Sequence, residues 1–260
     1  MSPSAAALLA RVESFQLPAA EIRQQQEAIQ QEVLAGSRYI FEANFTAIHP
    51  RDLELLFDRC DARFFGGLLR PALNGCPIGF QASPRLTRAG GRTTRQTMRR
   101  TGEVSYEIAI ASRMLFDSFR DGDREITVCG LKCTNRFEAM QRIFEHELVH
   151  LAEMLCWGTS NCSAARFQGI ARRMFLHEAH THDLVTRREQ AARAGIRRGT
   201  LVSFAIRGVR LVGRVNRITT RATVLVEDPD GLPFNDGKKY QVYYVPIGAL
   251  EPVATRSGRD

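Results

Sequence analysis

Phe144-Glu145-His146-Glu147-Leu148-Val149-His150 is the stretch from which the rest of the chain is read. It lies within Phe137–Cys156, where Phe137, Met140, Phe144, Leu148, Leu151 and Leu155 recur at helical spacing and predict one long helix with a buried side. Asn135 is placed to cap its start, with Glu138 three residues on, and Gly158 to stop it after Trp157. Residues four apart share a helical face, so His146 and His150 reach one metal ion. Glu147 then projects beside them toward a water on that ion. This is the donor pattern of a zinc hydrolase, with the glutamate as general base. A plain core helix with two partly buried histidines leaves the neighbouring glutamate unexplained. Glu145 and Glu153, which flank the motif, read as exposed in preference to the alternative, a place behind the ligands where they would orient them.

At 260 residues and 44% hydrophobic, the chain can bury one full core and a second small one. No apolar run approaches the ~20 residues a membrane span needs. Ala5–Ala10 has no basic residue before it and makes a poor signal peptide, so the cytoplasm is the simplest address. Cys60, Cys76, Cys129, Cys133, Cys156 and Cys162 are thinly spread and read as free thiols. Cys129 and Cys133 suggest a second metal site only weakly, because their spacing is loose and no second pair stands close by. From Thr186 to the end there are fourteen Lys/Arg against seven Asp/Glu, so this region carries nearly all of the net charge of +8. Such a basic region points to nucleic acid as a partner or, more plainly, to a solvated surface.

Three regions are expected: an N-terminal helical segment over 1–45, a central domain over 46–194, and a small basic unit over 195–260. In the first, Glu21–Leu34 is rich in glutamine and only weakly amphipathic. The second opens on a helix over Asp52–Phe65, ended by Gly66-Gly67. Ile78–Ala82 and Tyr106–Ala111 read as strands, and the segment from Gly90 through Arg100 between them as an exposed basic loop, with a mobile hairpin near the active cleft as the alternative. A short helix over Ser112–Phe119, a linker over Gly130–Thr134 and a helix over Ser163–Phe175 complete it. Beyond Ile196, closely spaced short strands suggest a small SH3-like β-barrel.

Two separated blocks carry a family resemblance. Leu55–Leu69, with Phe64-Phe65-Gly66-Gly67 at the end of its helix, and Phe144–His150 stand in the order found in SprT-like zinc metallopeptidases. With Arg166-Phe167 and the helix that follows, the resemblance covers roughly residues 49–185. It implies an α+β, zincin-like fold with a small antiparallel sheet, a bound Zn2+, and hydrolysis of a protein or peptide substrate. It also implies an edge strand that pairs with extended peptide, for which Tyr106–Ala111 is the candidate. The eukaryotic relative Spartan cuts proteins crosslinked to DNA, so the resemblance extends to nucleic-acid-associated substrates.

The chain departs from that family at the third ligand. SprT-like enzymes resemble one another in taking it from a His-Gly pair four residues before a phenylalanine; counting back from Phe167 gives Ser163. Cys162 stands next to it at the mouth of the following helix, and its thiolate is a good zinc donor. His177 is the alternative, although a continuous helix from Ser163 would carry it ~20 Å away. His180 and His182 are weaker candidates. In the expected reaction Glu147 takes a proton from the attacking water, and Tyr106 or an arginine of the 92–100 segment assists at the oxyanion. The rival expectation is a non-catalytic, zinc-containing module that binds nucleic acid or protein, its metal closed off by both Cys162 and His177.

Overall fold

The computed structural model describes residues 2–120 and 124–253, which fall into two compact units, Met1–Leu184 and Val185–Asp260. Both are of mixed α and β structure. The first contains helices α1 (Pro3–Ser14), α2 (Ala19–Gly36), α3 (Pro50–Cys60) and α4 (Leu69–Ala72), with a π-turn at Asp61–Phe65. Strands β1 (Ile78–Ala82), β2 (Gly91–Thr97) and β3 (Val104–Ile110) follow, then α5 (Ser112–Asp117) and the hairpin β4 (Ile126–Val128) and β5 (Leu131–Cys133). Helices α6 (Arg136–Trp157) and α7 (Ala165–Phe175) close the unit. No helix among the described residues is long and apolar enough to cross a membrane.

Helix α6 is the axle of this unit. The Asn135 side chain accepts from the Glu138 N–H at 2.9 Å, and the Glu138 carboxylate accepts from the Thr134 N–H at 2.7 Å. Both ends of the chain entering the helix are thereby satisfied. At the other end Gly158 adopts φ 76°, a left-handed cap that a Cβ would disfavour. Helix α6 packs against α1, α2, α5, α7 and β2, so even its polar residues are drawn inside. The glutamine-rich N-terminal segment belongs to the same core: Leu8, Val12, Phe15, Ile29 and Val33 are fully buried.

The small sheet has the order β1-β3-β2, with β3 parallel to β1 and antiparallel to β2. It is therefore mixed rather than antiparallel, and Tyr106–Ile110 forms its central strand, not the edge. The segment expected as an exposed basic loop is the edge strand β2. Its sequence, Gly-Arg-Thr-Thr-Arg-Gln-Thr, lacks apolar alternation because pairing with β3 fixes it on one side only. The expected 130–134 linker is in fact half of a two-residue hairpin.

The second unit contains α8 (Arg187–Arg193) and strands β6 (Leu201–Ile206), β7 (Val209–Ile218), β8 (Ala222–Pro233), β9 (Lys239–Val245) and β10 (Glu251–Pro252). Their order is β10-β6-β7-β8-β9. No pairing among the described residues joins β9 back to β10 or β6, so the sheet is open and the expected closed barrel is absent. Val202, Phe204, Val215, Val224 and Val245 fill its inner face together with Ala191 and Ile196. The latter two come from and just after α8, so this unit's core begins ahead of position 195.

Candidate metal centre

One turn of α6 brings His146 and His150 side by side, with ring centroids 4.9 Å apart. Phe167 of α7 lies against both rings, at 4.7 and 4.5 Å, and limits how they can turn. A donor atom from each histidine and the Cys162 sulfur lie within 4.8 Å of one another. Burial, reinforced by His150, pushes His146 down to about 3, and burial also lowers His150. Both rings are therefore neutral at neutral pH, the form in which an imidazole binds metal.

A hydrogen-bond chain fixes which nitrogen of His150 is free. Arg166 Nε donates to Glu153 Oε1 at 2.6 Å, and Ser160 Oγ donates to Glu153 Oε2 at 2.5 Å. Having given its proton to the carboxylate, the Ser160 hydroxyl can only accept from His150 Nδ1, 2.7 Å away. His150 is thus the Nδ1–H tautomer, and its lone pair sits on Nε2. Carboxylate-backed orientation of this kind is what metal-binding histidines show. Glu153 is fully buried, contrary to the exposed position expected of it, because this chain needs its carboxylate inside.

Glu147 is 4% exposed and accepts from Thr93 Oγ1 at 2.8 Å. Burial pushes its carboxyl up to about 7, against the opposing hydrogen bonds from Thr93. The approach of β2 is what covers it: a Cβ on Gly91 would stand 2.6 Å from Glu147 Oε1. Only glycine lets the edge strand pass this close to the carboxylate.

These groups face one cleft of about 350 Å³. Gly91, Arg92 and Thr93 line it from β2, His146, Glu147 and His150 from α6, and Cys162 and His182 from the loops. Of the residues expected to assist the reaction, Arg92 lines the cleft, and Tyr106, on the central strand, is not among the lining residues. His180 and His182 reach the cleft but belong to neither donor cluster.

Cys162 precedes α7 by three residues rather than opening it. Burial raises its thiol above the usual range, so a neighbouring cation is needed to deprotonate it. His177 is not ~20 Å away. Helix α7 runs along α6, and at Leu176 the chain takes φ 63° and doubles back, with the His177 N–H on Ala171 O. That reversal tucks the His177 ring behind His146, where it meets Cys129 and His146 but not His150. Its Nε2 lies 3.3 Å from Glu145 Oε2. Glu145 is also fully buried, contrary to expectation, and accepts from Gln26, Gln141 and Arg142.

Two imidazoles and one thiol converging beside an open cleft fit a zinc ion with one coordination position left over. Sequence reasoning overlooked Thr93, Ser160 and Arg166. The Gly90-Gly91 pair beside a threonine-rich run was the available signal for the first. Comparison with protein-family models, curated proteins and solved structures finds no match for the chain.

Proposed function

We propose that the chain is a zinc-dependent metallopeptidase of the SprT-like, zincin type. His146, His150 and Cys162 would hold the ion. When bound, zinc supplies Lewis acidity that acidifies water toward ~7 and polarises a peptide carbonyl. Glu147 takes the proton of the attacking water and returns it to the leaving amine. Thr93 steers the carboxylate, Arg92 supplies positive charge at the cleft wall, and β2 offers an unpaired strand edge to an extended peptide.

The observation that carries this reading is Glu147: a carboxylate with an elevated pKa, held beside a three-donor cluster that opens onto a cleft. A purely structural zinc has no use for it, and His177 faces away from the His150–Cys162 side, so the cluster is not closed to four ligands. The test pairs two variants. His146→Ala should lose the zinc, measured by elemental analysis, and Glu147→Gln should keep it while cleavage of an unstructured protein falls at least a hundredfold. Full turnover in Glu147→Gln would overturn the assignment.

A second reading concerns the Val185–Asp260 unit. Arg188, Arg197, Arg198 and Arg217 surround a groove of about 810 Å³, and no carboxylate lines it among the described residues. By contrast Arg193 and Arg210 pair with Glu189 and Glu251. Four guanidiniums lining one groove suit a phosphodiester backbone.

A further inference from the structure

We propose a second metal site, buried behind the first, in which Cys129, His177 and the Nδ1 side of His146 hold a thiophilic cation of the zinc class. It goes beyond the peptidase reading and does not depend on it.

Donor atoms of these three residues lie within 4.8 Å of one another. The Cys129 sulfur is 3.9 Å from His146 Nδ1, so a ligand held there leaves Nε2 for the first cluster. Three features of this cluster serve no evident purpose without a ligand. His177 is 3% exposed, and its Nδ1 has no hydrogen-bond partner among the described residues. With Nε2 turned to Glu145, that nitrogen is a buried lone pair left without a donor, a cost that a cation would remove. The Glu145–His177 pair is, moreover, the carboxylate–imidazole arrangement that orients metal ligands.

Cys129 is the third feature. It occupies the first position of the two-residue β4–β5 turn at φ 54°, followed by Gly130 at φ 79°. Such a turn prefers Asn, Asp or Gly at that place. Cysteine is nonetheless held there by three backbone hydrogen bonds, its N–H on Thr181 O and its carbonyl under the N–H groups of Glu178 and Ala179. A side chain kept in a disfavoured conformation and aimed at two imidazoles is placed for use.

The chemistry balances. The cation accepts lone pairs from sulfur and two ring nitrogens, and the Cys129 thiol proton leaves to solvent. With the first cluster empty, the His146 ring proton stays on the other nitrogen; with it filled, that proton also leaves and the ring would be shared as imidazolate. The added positive charge is met by the thiolate, by the bridging ring and by the fully buried Glu145. Thiolate with imidazole selects zinc-like ions over magnesium or calcium.

The test is cobalt(II) titration of the metal-free full-length chain, followed in the near ultraviolet for thiolate-to-metal absorption and by elemental analysis. The wild type should take up two equivalents. A His150→Ala/Cys162→Ser variant should keep one, with thiolate absorption retained through Cys129, the thiol that remains in a donor cluster. Cys129→Ser should also drop to one. Should that variant misfold, His177→Gln, which preserves a partner for Glu145, replaces it with the same expectation. No uptake in the double variant, or uptake unchanged in Cys129→Ser, would overturn the second site. Neither result touches the Glu147 test, so the two proposals can fail separately.

Discussion

Glu147 meets two demands that pull against each other. As a base it must sit in a dry pocket near the reacting water, yet burial there disfavours its charge and pushes its carboxyl up to about 7. In the metal-free chain this becomes a stability effect of definite sign. The folded state binds the proton more tightly than the unfolded chain, whose carboxyl titrates near ~4.3. The favourable contribution is therefore complete below that value and is lost as the pH rises through about 7. Glu147→Gln carries no such charge. In chelator, its midpoint of denaturation should thus gain on the wild type between pH 5 and pH 8, by up to about 3 kcal/mol. An equal gap at both pH values would show that the carboxylate is not desolvated. The motif was legible because its three chemical residues sit within five positions on one helix. Thr93, 54 residues away in sequence, was not, since only the fold brings that hydroxyl to Glu147.

At the scale of elements, the site is a meeting of one helix, one edge strand and one loop. Helix α6 was readable from end to end, because its caps and its apolar spacing are local properties. Strand β2 was not, since an edge strand over a polar cleft carries no apolar alternation; its position is set by pairing with β3 and by Gly91. Likewise Gln26 and Glu145 form a buried polar contact that hydrophobic periodicity cannot register. Two substitutions separate the roles of strand and loop. Gly91→Ala should leave zinc content intact while cutting activity steeply, since its Cβ displaces Glu147 rather than a donor. Ser160→Ala releases the tautomer of His150 and should weaken zinc binding by about 10–100-fold in competition with a chromophoric chelator. Unchanged affinity in Ser160→Ala would mean that the Ser160–Glu153 chain does not orient the ligand.

Across the whole molecule, charge and chemistry are assigned to different units. The neutral, partly buried donors all lie before Leu184, whereas the excess of basic over acidic residues lies after it, as the composition already indicated. Composition could not reveal that four of those arginines share one groove. They come from α8, from the turn that follows it, and from β7. In β7 the register with β8 shifts between Val215 and Arg217, and a bulge of this kind re-aims the side chains around it. If the groove takes phosphates, the full-length chain should bind single- or double-stranded nucleic acid in a salt-dependent way. With four contacts, affinity should fall about a hundredfold between 50 and 200 mM salt. Arg197→Ala/Arg198→Ala/Arg217→Ala should flatten that dependence, because each lost contact removes about one unit of slope. The same triple variant should retain its zinc and its rate on a short peptide, which reaches the cleft of the first unit without help from the groove. Retention of the wild-type salt slope would return the basic region to a solvated surface. A parallel loss of zinc would show instead that the substitutions had damaged the fold.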